Sequence, residues 1–153
     1  MTQNRSPFTR KIKACRPWRL RLLGLCVGLL AIGNGHAESR LWMTVGERRM
    51  AVTLADTDAA RAFAARLPLS LDMTDLNGNE KKFDLPEELP ANPSRPGTIR
   101  NGDLMLYGSN TVVLFYLTFD SPYSYTRLGR VDDPNGLAQA LGQRGVRVRF
   151  SRD

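Results

Sequence analysis

Tyrosines and arginines are the residues of this chain best equipped to hold another molecule. Tyr107, Tyr116, Tyr123 and Tyr125 make up its whole complement of four tyrosines, and three of them lie with Arg127 between positions 116 and 127. A tyrosine ring offers an apolar body and a polar tip, and an arginine beside such rings can clamp a carboxylate or phosphate through its planar fork of donors. Arg95 is a second candidate, because Pro93 and Pro96 restrict the loop that carries it. The same residues have a plainer reading. The rings then belong to the core and rim of the fold, Arg127 pairs with Asp103, Asp132 or Asp133, and Arg95 is a solvated loop cation.

Other chemistries lack their residues. The two cysteines, Cys15 and Cys26, and the one histidine, His36, fall within the first 37 positions. That segment is built like a secretory signal: cations up to Arg21, an apolar core from Leu22 to Ile32, and the small-residue exit Gly35-His36-Ala37 before Glu38. The apolar core is shorter than the ~20 residues a spanning helix needs. The expectation is a signal peptide over 1–37, a single domain over 38–153, and a secreted, periplasmic product. The alternative is an uncleaved anchor, which would supply the only membrane contact. After cleavage neither thiolate nor imidazole remains for nucleophilic, acid–base or zinc chemistry. No catalytic residue, metal or cofactor is therefore assigned. Asp132-Asp133, with Asp120 nearby, lacks the spacing of a calcium loop and suits a turn and helix cap.

The net charge of +7 suggests a nucleic-acid partner until the charges are located. Residues 1–37 hold seven of the 22 Lys and Arg and none of the 15 Asp and Glu, so the remainder is formally neutral. No nucleic-acid partner is expected.

The elements that must position the tyrosines are mostly strands. Gly102 to Tyr116 reads as a hairpin turning at Gly108-Ser109-Asn110. Its second strand is apolar on both faces, with Val113, Phe115 and Leu117 on one and Val112, Leu114 and Tyr116 on the other, which predicts burial on both sides. Before it come a hairpin turning at Gly46-Glu47, a helix from Asp56-Thr57-Asp58 to Pro68, a hairpin turning at Asn77-Gly78, and a proline loop from Pro86 to Gly97. After it come an aromatic turn over Phe119–Ser124, a strand over Tyr125–Val131, a short helix at Leu137–Leu141, and a last strand. In the last strand Val146, Val148 and Phe150 oppose Arg147, Arg149 and Arg152, a pattern that predicts edge protection. Met73 and Met105 read as core packing. This order predicts a mainly β fold, a closed antiparallel barrel of about eight strands with two short helices.

The runs Leu67-Pro68-Leu69, Asp75 to Lys81, Arg95 to Ile99, Gly102 to Gly108 and Tyr123 to Arg130 resemble the bacterial cyclophilin-like domain family. The resemblance spans roughly Leu41 to Phe150 and implies a cyclophilin-like β-barrel; function within the family is largely unassigned. Cyclophilins proper are prolyl isomerases that use an arginine and an aromatic on the strand after the first helix, a glutamine and a histidine. Leu69–Asp75 holds neither an arginine nor an aromatic, and the only glutamines beyond the leader, Gln139 and Gln143, fall around the second helix.

The expected function is a non-catalytic module binding a small molecule or extended peptide. Arg127, Tyr125, Tyr116, Tyr107, Tyr123 and Arg95 are its candidate ligand-binding residues, with Arg127 and the nearby rings at the barrel mouth. The alternatives are a divergent prolyl isomerase and a module docking a protein through a sheet edge. Oligomeric state is not legible.

Overall fold

A computed structural model describes residues 40–152. The leader, its proposed cleavage site, both cysteines and His36 lie outside the described residues. The first hairpin, β1 (Arg40–Val45) and β2 (Arg48–Leu54), turns where Gly46 supplies a φ of 60°. Helix α1 (Asp58–Ala65) begins at Thr57, whose hydroxyl accepts from the Ala60 N–H at 3.0 Å. Strands β3 (Leu69–Leu76) and β4 (Glu80–Asp84) form the second hairpin, with Asn77 at φ 56° and Gly78 at 66°, the conformation that a tight turn of this kind requires. The proline loop leads to β5 (Gly97–Ile99). Then follow β6 (Asp103–Tyr107), β7 (Thr111–Phe115), β8 (Phe119–Ser121), β9 (Thr126–Val131), α2 (Leu137–Leu141) and β10 (Val146–Ser151).

Eight of these strands close into an antiparallel barrel in the order β1, β10, β3, β4, β7, β6, β9, β2, with β2 returning to β1. Inward side chains from every wall, among them Met43, Val52, Leu71, Leu104, Leu114, Leu128 and Val148, form one apolar core. The helices close it at opposite ends. Phe63 of α1 meets Phe150 edge-on at a centroid distance of 5.3 Å, and Leu137 and Leu141 of α2 are buried in the same core.

Closure corrects the reading of the last strand. β10 pairs with both β1 and β3, so it has no edge to protect. Arg147 instead answers its cross-strand partner Asp72 through Nε and Nη2, at 2.7 and 2.9 Å. Arg152 Nη2 donates to the Ala64 carbonyl at 2.8 Å and ties the strand to α1.

The double-sided burial expected of β7 is borne out, β6 shares it, and the cause is a small second sheet. Strands β5 and β8 pair as a two-stranded flap whose Ile99 and Phe119 pack with Met105, Val113, Phe115 and Tyr125 on the outside of the barrel wall. Phe119–Ser121 is thus a strand where a turn segment was expected, and Gly97–Ile99 is one where the loop was thought to end. Leu117 stands in the connection to the flap and is exposed, not buried beside Phe115. The alternation along β9 is broken. A bulge opposite Leu104 and Met105 sends both Leu128 and Val131 into the core and both Arg127 and Arg130 outward.

Candidate functional site

The flap and the outer barrel wall enclose a cavity of about 780 Å³. Alternation on β4 sends Lys81 and Phe83 inward, so Glu80, Lys82 and Asp84 face this cavity beside Val113 and Thr111 of β7 and Tyr107 of β6. The β3–β4 turn supplies Leu76, Asn77 and Asn79. The flap and the segment after it supply Phe119 to Tyr123 and Tyr125.

Tyr107 touches both other tyrosines of the cavity. The Tyr107 ring lies 6.3 Å from that of Tyr123, edge-on, and 5.7 Å from that of Tyr125, which in turn meets Phe115 edge-on at 5.5 Å. Tyr125 is buried and anchored, exchanging backbone hydrogen bonds with Ser94 of the proline loop at 3.0 Å each way. Tyr107 and Tyr123 are 48% and 58% exposed. Desolvation raises the Tyr125 phenol above its usual range, and the Ser121 hydroxyl partly offsets this.

The acidic side of the cavity is uneven. Asp84 accepts from Thr111 Oγ1 at 2.7 Å, which with help from Lys82 holds its carboxyl below the usual range against desolvation. Asp120 accepts from Thr98 Oγ1 at 2.7 Å. Glu80 is pushed the other way, first by burial and then by Asp75, with Lys82 opposing.

The structure brings together only part of the expected set. Tyr107, Tyr123 and Tyr125 share the cavity, which sits on the outer wall rather than at a barrel mouth. Tyr116 points into the barrel core, where its hydroxyl donates to the Asp75 carboxylate at 2.8–2.9 Å. Arg127 lies outside the tyrosine cavity, in a separate hollow of about 210 Å³ with Arg100, Arg130 and Asp103. None of the acids proposed for Arg127 pairs with it among the described residues. Asp103 faces Arg130 at 3.9 Å, Asp132 faces Arg40 at 3.3 Å, and Asp133 accepts from the Asn135 N–H at 3.1 Å. Arg95 is exposed and lines neither hollow.

A buried ionic group escaped sequence reasoning. Lys81 is 0% exposed, and its ammonium donates to the carbonyls of Gly142 and Arg144 at 2.7 and 2.8 Å. It stands 3.3 Å from Asp75 Oδ2 and 5.2 Å from the centre of the Tyr116 ring. Every donor has a partner, so the group staples the segment after α2 to the barrel wall. The available signal was the phase of Lys81, Phe83 and Leu85, which places the lysine on the apolar face of its strand.

These features define a closed, all-antiparallel eight-stranded barrel with two short helices and a hollow on its outer wall. The chain matches the cyclophilin-like family over residues 43–151, and it belongs to that family. The solution structure of a hypothetical protein from Archaeoglobus fulgidus superposes with a TM-score of 0.53 at 18% identity, covering 80% of this chain and 100% of that one; this likeness concerns the fold. A search of curated proteins finds no match.

Proposed function

We propose that this domain is a ligand-binding module whose site is the tyrosine cavity between the β5–β8 flap and the barrel wall, and that it works in the periplasm after export behind its cationic leader. One observation carries the reading. Four large apolar side chains are notably exposed among the described residues, and three of them, Leu76, Tyr107 and Tyr123, line this one cavity. Solvent-exposed rings gathered in a concave site of this volume are the usual mark of a binding pocket. Its backbone is braced by the β5–β8 ladder and the Ser94–Tyr125 bridge, so little order has to be gained on binding.

The test is a screen of a mixed fragment library, with anionic, neutral and cationic members, by amide and aromatic NMR shifts. Hits should move the resonances of Tyr107, Tyr123 and Val113 together. Hits confined to the Arg100–Arg127–Arg130 hollow, or to the helix ends, would sink this assignment.

A further inference from the structure

The charges lining the tyrosine cavity do not balance, and the imbalance sits on one residue. Glu80, Asp84 and Asp120 line the cavity against a single cation, Lys82, which is 3.5 Å from Asp84. Asp84 and Asp120 each accept from a threonine hydroxyl. Glu80 is 8% exposed, and its carboxylate has no hydrogen bond or ion pair among the described residues. Beside it, Asn79 Oδ1 is a buried acceptor with no donor. Both line the cavity. A buried acceptor left unpaired is costly. The buried Asn79 Oδ1 and the unpartnered Glu80 carboxylate, both on the cavity, leave room for a group that donates and carries positive charge. Opposite them stand the tyrosines, whose ring faces attract cations.

Resting on the reading of this cavity as a binding site, we infer that it takes an organic ammonium carrying N–H donors on an apolar or aromatic body. The nitrogen meets Glu80 and Asn79, and the body lies against Tyr107, Tyr123 and Val113. A quaternary ammonium would satisfy the rings but bring no donor. A carboxylate would meet Glu80 uncompensated. The upward displacement of the Glu80 carboxyl by burial fits an acid whose counter-ion arrives with the ligand. A free amine and a lysine side chain share this chemistry.

The experiment titrates the full-length protein with phenethylammonium, its neutral analogue 2-phenylethanol, its N,N,N-trimethyl derivative and 3-phenylpropionate, by calorimetry and NMR. A lysine-containing peptide and its side-chain-acetylated form are run alongside. Phenethylammonium should bind in the cavity roughly ten- to hundredfold more tightly than the alcohol, the span of a charge-assisted hydrogen bond. The trimethyl derivative should fall between them, and the propionate should not bind. Glu80→Gln should bring the amine down to the alcohol while leaving the alcohol unchanged. Arg127→Ala should alter none of these affinities. A lysine peptide that outcompetes the free amine, with loss on acetylation, identifies a peptide source; the reverse order identifies a free amine. If the alcohol binds in the cavity as tightly as the amine, or if Glu80→Gln leaves the preference intact, the cation inference is overturned while the binding site stands. If no probe moves a cavity resonance, the inference falls, and the fragment screen decides the site separately.

Discussion

Lys81 Nζ and Asp75 Oδ2 stand 3.3 Å apart on directly opposed positions of the β3–β4 ladder, inside the barrel rather than on its surface. The ammonium also holds two carbonyls of the chain beyond α2, and the carboxylate also accepts from Tyr116. Side chains from β3, β4 and the residue just after β7 thus meet the segment leading to β10 at one point.

Lys81→Met keeps the apolar stem but leaves both carbonyls without their donor and Asp75 with the Tyr116 hydroxyl alone. Removing one member of a buried ion pair costs about 3–5 kcal/mol, and urea unfolding should show a loss of that size. The double variant with Asp75→Asn should lose less than the sum of the two single changes.

Tyr116 is held above the ordinary phenol range, up to about 12, by burial first and then by its hydrogen bond to Asp75. The folded chain therefore keeps this proton more tightly than the unfolded chain does. Its stabilising share is complete below the unfolded value of about 10 and is lost as pH rises from there toward 12. Ultraviolet titration of the native protein should show a tyrosine ionising toward pH 12 that is absent in Tyr116→Phe. That variant should be less stable at neutral pH by about 1.5–3 kcal/mol, the range for a hydrogen bond to a charged group.

Glu80 gives the opposite trade. Its carboxyl is raised above 4.5 by burial and by Asp75 on β3, with Lys82 on its own strand pulling back, and Phe115 opposes it on β7. Protonated Glu80 suits the fold better than ionised Glu80, so its contribution is greatest below 4.5 and declines as pH rises through the raised value. Glu80→Gln should be more stable than the parent at pH 7 and should flatten that decline in thermal melts taken across the acid range. Stability gained by discarding a residue is what a site held for a ligand would show.

Gly129 fills no turn, yet it is indispensable to the β2–β9 ladder. A Cβ there would lie 2.6 Å from the Thr53 carbonyl oxygen and 3.2 Å from Leu54 Cα, both backbone atoms of the paired strand. Gly129→Ala should cost about 1–3 kcal/mol by overpacking and should speed hydrogen exchange of amides in β2 and β9. Unchanged exchange would show that the strands part without loss.

The barrel was legible because its hairpins are signposted. Asn77-Gly78 and Gly46 mark tight turns, and between them apolar residues alternate with polar ones. The flap was not legible. β5 and β8 are each three residues long, too short for a period to emerge beside prolines and aromatics. The tyrosines were found by residue type, and the structure gathers three of them. Arg127 was grouped with them by proximity in sequence, but it lines the other hollow with Arg130, which the bulge on β9 turns outward beside it. Glu80 and Lys81 carried no signal by type, since charged residues in a strand read as solvated. Neighbouring positions on β4 bury one in the core and the other against the flap.

The seam between β1 and β10 joins Trp42 to Ser151 and Val45 to Val148. Until the last strand is available, β1 and β3 each lack a neighbour, and the core has an open side. Closure therefore waits on the most distant strand pairing among the described residues, the kind that slows folding by its loop-closure entropy. A barrel sealed in this way is complete only once β1, β3 and β10 have come together.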